Sequence, residues 1–170
     1  IGGGNSNIIS GTRSTIAGGA DNTINGARST IVGGTSHLIE GIYNFIGGGN
    51  TNRISVDNGF GAAVIVGGDN NTNLGIYSSI IGGSGNKVSG HLGVVLGGNA
   101  SVASGEYSVV LGQRSEAFYN GATMFGDSTS VTKRSYGPDS FTINYSGGTW
   151  ITGGGVNARR GFSFIRESFL

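Results

Sequence analysis

Cysteine is absent from the chain, proline occurs once, and charged residues make up only 11% of it. Without cysteine there can be no disulfide and no thiolate zinc site. Ten Lys and Arg against nine Asp and Glu leave a net charge of +1, so no basic footprint for nucleic acid or an anionic membrane is present. No apolar run approaches the ~18 residues that span a bilayer, and membrane insertion of this segment is not expected. No signal-peptide pattern opens the chain. It starts at Ile1, already inside a repeat, and reads as a processed or excised piece of a longer protein.

Catalytic groups are scarce too. The two histidines, His37 and His91, fall at different places in the repeat described below. His37 stands where other repeats carry Asn, which reads as a hydrogen-bonding turn residue. The carboxylates are dispersed, and Glu106 and Glu116 sit at different repeat positions, so no acid–base pair for glycoside cleavage forms. The Gly-Gly-Gly-Asn runs lack the following helix and Lys-Ser/Thr of a phosphate loop. Their period is not that of a calcium-binding nonapeptide roll, and the Thr15–Thr30 ladder that an ice-binding face would need ends at Phe45 and Val64. The expectation is a protein without enzyme activity, cofactor or metal.

What the chain has in abundance is glycine, 36 residues of 170, without collagen's three-residue period. The excess follows a repeat. Units start at Ile1, Ile16, Ile31, Ile46, Ile65, Ile80, Val95 and Val110, 15 residues apart except for one spacing of 19. The third position is Gly in all eight, from Gly3 and Gly18 to Gly112, and the seventh is Asn in five: Asn7, Asn22, Asn52, Asn71 and Asn86. Each unit holds two short alternating runs, such as Ser14–Gly18 and Asn22–Gly26, separated by turn residues. Fifteen residues trace a circuit of roughly 50 Å, one flattened coil of two strands with Gly and Asn at the corners. The fold expected is all-β, a parallel β-roll or β-solenoid of about eight coils over residues 1–126. Ile16 and Ile24 lead the two inner columns, and the inward Ser14 and Ser29 need backbone partners for their hydroxyls.

The outer face of the first strand is apolar as well. Its outward positions include Val64, Val66, Ile81, Val94, Leu96, Val109 and Leu111. A strand apolar on both faces is buried on both faces, so Val66, Ile81, Val94, Leu96, Val109 and Leu111 are expected to line an interface between identical chains. The 19-residue unit carries an insertion near 55–64, expected to emerge as a loop. Phe60 on it is a candidate surface contact, or folds back onto the coil.

The periodicity fades after about residue 126. Residues 127–140 read as a long loop, Phe141–Tyr145 as a strand forming a hairpin with Thr149–Thr152, and 127–170 as an aromatic β cap or neck. Asn70, Asn99 and Asn144 begin Asn-x-Ser/Thr triplets, which chance supplies readily in such a composition.

The repeats, as in Ile80-Ile81-Gly82-Gly83-Ser84-Gly85-Asn86-Lys87-Val88-Ser89-Gly90, resemble the head repeats of trimeric autotransporter adhesins, the YadA-like heads. The stretches Phe125–Thr129, Ser140–Ile143 and Ser146–Gly148 look like the region that follows such repeats in fibres carrying a C-terminal endosialidase-type intramolecular chaperone, on phage tails and related surfaces. No chaperone lies within these residues, and the 15-residue unit is longer than the 14 residues common in adhesin heads. The resemblance implies a homotrimeric fibre segment, extracellular or on a virion, that attaches to a host-surface glycan or protein receptor. A fibre-borne polysaccharide depolymerase and a self-assembling surface filament are the alternatives.

Overall fold

The computed structural model describes residues 1–128 and 132–146. Eighteen short strands alternate between two parallel sheets of nine strands each. The odd sheet contains β1 (Ile8–Ile9), β3 (Thr23–Ile24), β5 (Leu38–Ile42), β7 (Arg53–Phe60), β9 (Thr72–Asn73), β11 (Lys87–Val88), β13 (Val102–Ala103), β15 (Ser115–Ala117) and β17 (Lys133–Arg134). The even sheet contains β2 (Thr15–Ile16), β4 (Thr30–Ile31), β6 (Phe45–Ile46), β8 (Val64–Ile65), β10 (Ser79–Ile80), β12 (Val94–Gly97), β14 (Val109–Leu111), β16 (Thr123–Gly126) and β18 (Phe141–Asn144). Each strand pairs with the one two places on, as the repeat dictates: Thr15 with Thr30, Ile16 with Ile31, Ile80 with Val95. The chain is a parallel β-solenoid of about nine turns, and no helix occurs among the described residues.

The core is two columns of side chains between the sheets. One runs Ile16, Ile31, Ile46, Ile65, Ile80, Val95, Val110, Met124, and all are fully buried. The other runs through Ile24, Ile39, Ile54, Val88, Ala103 and Ala117, and these are fully buried as well. Each buried Ile contributes roughly 2–3 kcal/mol of apolar transfer, and the interstrand hydrogen bonds satisfy the backbone around it, such as Ala17 N–H to Ile31 O at 3.0 Å.

Two polar ladders run beside these columns. At the seventh position, each Asn amide donates to a carbonyl of its own coil and one of the next, while its oxygen accepts an N–H from the next coil. Asn71 Nδ2 reaches Gly67 O at 3.2 Å and Gly83 O at 3.0 Å, and Asn86 N–H reaches Asn71 Oδ1 at 3.0 Å. The second ladder satisfies the inward hydroxyls: Ser14 Oγ donates to Gly26 O at 2.9 Å and accepts from Ser29 N–H at 3.2 Å.

This corrects the corner chemistry expected from the sequence. From the second coil on, these Asn residues are buried rungs, with Asn22, Asn52 and Asn71 fully buried, and none of the five adopts positive φ. The left-handed corner positions belong to Gly19 and its equivalents (φ +96 at Gly19), to the residue before each Asn (φ 56 at Asp21), and to a column through Arg28 and Tyr43. Gly26 is needed for a different reason: a Cβ there would lie 1.5 Å from Gly41 O in the next coil.

The insertion is also not a free loop. It lengthens β7, whose register against β5 shifts between Glu40↔Ser55 and Ile42↔Phe60, and Val56 turns into the core. Beyond residue 126 the coil path continues. Lys133–Arg134 pairs with β15 and Phe141–Asn144 with β16, so residues 127–140 contain a strand of the odd sheet. Inward Lys133 is buried and ion-paired with Asp127, and that buried charge hides β17 from a hydrophobic pattern. β18 pairs in parallel with the solenoid; the expected hairpin partner Thr149–Thr152, with Trp150, lies outside the described residues.

Candidate functional site

The even sheet's outer surface carries two rows of residues that alternation turns away from the core. One row runs Thr15, Thr30, Phe45, Val64, Ser79, Val94, Val109, Thr123, Phe141. The other contains Ala17, Val32, Val66, Ile81, Leu96, Leu111, Phe125 and Ile143. Val66 is 48% exposed, Ile81 46% and Leu96 45%, while Leu111 is also exposed and Val94 and Val109 are half-buried. All six residues expected at an interface therefore fall on one continuous stripe. Nine strands at about 4.8 Å make it roughly 40 Å long. Its apolar character strengthens from Val64 onward; the first coils carry Thr15, Ala17 and Thr30.

Beside that stripe runs the third-position glycine column. At Gly3, Gly18, Gly33 and Gly82 an added Cβ would meet no atom within 4 Å, and at Gly48 and Gly67 only a carbonyl oxygen at 3.9 Å. None of the six has a φ in the left-handed region. Neither crowding within the chain nor backbone conformation requires glycine at these six, whereas the last two of the column, Gly97 (φ +151) and Gly112 (φ +127), have the positive φ that favours it. Sequence reading registered the recurrence of this glycine, and only the three-dimensional arrangement separates it from glycines such as Gly26 that the coil itself demands.

A second surface lies at the corner between odd and even strands. Arg13, Arg28, Tyr43, Ala62, Tyr77, Leu92 and Tyr107 occupy equivalent places in successive coils, and all have positive φ. Phe60 is 61% exposed and stacks on Tyr43 with ring centroids 6.2 Å apart and planes 30° from parallel. On the other side of Tyr43, the Arg28 guanidinium lies 5.3 Å from the ring centroid and donates to the Tyr43 hydroxyl at 3.0 Å. Tyr43, Phe60, Gly61, Ala62 and Tyr77 together line a recess open to solvent.

His37 replaces Asn in the first polar ladder. Its Nδ1 accepts from Asn52 N–H at 3.1 Å and its own N–H donates to Asn22 Oδ1 at 3.0 Å, so the neutral ring carries its proton on Nε2. Nε2 is buried and makes no well-aligned hydrogen bond. Burial pushes the His37 pKa below its ordinary value, and the nearby Gly49 and Gly33 carbonyls oppose that shift. His91 is exposed at a corner, far along the chain from His37. Among the described residues no three His, Asp or Glu side chains gather where they could hold a metal. Asn70 and Asn99 are exposed and Asn144 is half-buried.

Neither the known protein-family models nor the curated protein sequences contain a match to this chain.

Proposed function

We propose that this chain is a structural and adhesive segment of a homotrimeric fibre, three solenoids standing in parallel with their even sheets turned toward a common axis. The observation that carries the reading is the apolar stripe flanked by a glycine column that the chain's own sterics do not require at six of its eight positions. An exposed apolar stripe of this length marks an interaction surface, and glycine without an internal reason suits the close approach of another backbone. The stripe follows the stacking axis, because its coils pair in parallel with a single register shift, between Val95 and Gly97, and it is only two residues wide. A narrow stripe along that axis suits convergence of several chains better than the broad face of a two-fold dimer. Three is the number found in the adhesin heads that the repeats resemble, and the extracellular or virion setting rests on the same resemblance.

In this reading the fibre works by spacing and attachment, with a host-surface glycan or protein as its partner, and not by catalysis. Light scattering on the purified chain tests it. A particle of three times 17.1 kDa is expected. A particle of one chain overturns the assembly, and an open-ended series of masses favours a filament instead.

A further inference from the structure

We propose that the recess bounded by Tyr43, Phe60 and Tyr77 is a binding subsite for one neutral pyranose ring of a glycan. The proposal deepens the attachment reading above and rests on it. Its first support is backbone conformation. A bulky side chain in the left-handed region costs about 1–2 kcal/mol, yet Tyr43 (φ 65) and Tyr77 (φ 54) both occupy it. The solenoid does not need tyrosine at this corner, since Gly121 and Ala62 fill equivalent places with φ 67 and 43. The left-handed turn belongs to every coil, with Arg, Ala, Leu or Gly in it as well as Tyr, so the choice of two tyrosines beside Ala62 is left to what this surface meets.

The second support is shape. Tyr43 and Tyr77 stand two coils apart, roughly 10 Å along the stack. Ala62 occupies the coil between them, and its methyl group leaves a recess open to solvent. Aromatic faces are negative at the centre, so the exposed Tyr77 ring attracts the weakly positive C–H face of a sugar, while the Tyr77 hydroxyl and the O–H of Tyr43, which accepts from Arg28 and can still donate, serve sugar hydroxyls at the rim. The third is charge. The lining residues are all uncharged, and the nearby Arg28 is already engaged with the Tyr43 ring and hydroxyl. That favours a neutral ring over a sialic or uronic acid.

Saturation-transfer NMR on the full chain, with cellohexaose, maltohexaose and N-acetylchitohexaose as probes, tests the site. Saturable transfer from at least one probe is expected. Tyr77→Ala should weaken it about tenfold or more, as for a central aromatic anchor. Ala62→Tyr, which fills the recess with a residue its neighbours Tyr43 and Tyr77 show the corner accepts, should weaken it as much. Tyr107→Ala, in the same column outside the recess, should leave it unchanged. The proposal is overturned if none of the probes binds saturably, if Tyr77→Ala and Ala62→Tyr bind like the parent, or if N-acetylphenylalanine amide occupies the recess and the sugars do not. Particle mass measured on the same samples separates the two ideas. Three-chain particles without sugar binding sink the subsite alone, and sugar binding by single chains sinks the fibre assembly alone.

Discussion

The two sheets of the solenoid share an inner face and differ on the outer one. Inside, both contribute fully buried columns, Ile16 to Met124 from the even sheet and Ile24 to Ala117 from the odd. Outside, the odd sheet mixes polar and apolar residues: Ile8, Thr23, Leu38, Arg53, Thr72, Lys87, Val102, Glu116 and Arg134 in one row, and Ser10, Asn25, Glu40, Ser55, Leu74, Ser89, Ser104 and Phe118 in the other. Four of its charges pair locally, Arg53 with Glu40 at 2.9 Å and Arg134 with Glu116 at 2.6 Å. That is how a solvated sheet face is built. The even sheet has the same coil geometry, the same hydrogen-bond spacing and no charged residue in either outer row. Since folding a coil needs only the inner columns and the ladders, the outer contrast reflects what each face meets after folding.

The sharpest way to break that contrast is to make the even face resemble the odd one. Val94→Lys with Leu96→Lys should abolish association and leave single chains on sedimentation, because like charges would be buried without partners. Thr72→Lys with Leu74→Lys on the odd face should leave the particle mass unchanged. Equal effects from the two pairs would remove the distinction.

A change common to both sheets comes next in size. Asn71→Ala removes the side-chain bonds to the Gly67 and Gly83 carbonyls and orphans the Asn86 N–H, while Gly83 O keeps its bond from Asp69 N–H, at roughly 2–3 kcal/mol of folding stability. Denaturant titration in the Val94→Lys, Leu96→Lys background, as a single chain, would read this without interference from assembly.

Much of this was legible in the sequence, for reasons particular residues make plain. Fifteen-residue spacing of Ile16, Ile31 and Ile46 specifies coil length and register, because stacking in register places every equivalent residue in a column. Alternation in Val94-Val95-Leu96 identifies the doubly apolar strand. The seventh-position Asn was visible as a recurrence, but its role was not. Asn is frequent both in left-handed turns and in side-chain-to-backbone hydrogen bonds, and only the coil path selects the second. The Tyr43–Tyr77 corner escaped notice because tyrosine and arginine carry no left-handed signal. β17 escaped because its inward residue is Lys133, whose charge is balanced by Asp127 six residues earlier, outside any strand pattern.

The glycine column sharpens the comparison on a finer scale. Gly33→Ala and Gly82→Ala together should weaken association about tenfold, or ~1.4 kcal/mol, while the single chain stays as stable or gains slightly, since alanine loses less backbone freedom on folding. Loss of single-chain stability would mean that the coil itself needs these glycines.

The smallest effect concerns the one imperfect rung. Folding holds His37 below its ordinary pKa of 6.5, so the unfolded chain takes up the proton more readily. The stabilising contribution of neutral His37 is complete above 6.5 and is lost as pH falls from there through the folded-state value. His37→Asn restores the asparagine ladder and should flatten the pH dependence of stability in that window. An unchanged slope would place the acid sensitivity elsewhere.

Because the chain has no cysteine, a single spin label can be placed on either face without background. The central claim is that copies converge on the even sheet and leave the odd sheet outermost. Dipolar distance measurements on L96C and, separately, on L74C test it directly. The account predicts short inter-chain distances from position 96 and clearly longer ones from position 74; equal distances at the two positions, or shorter ones at 74, would contradict it.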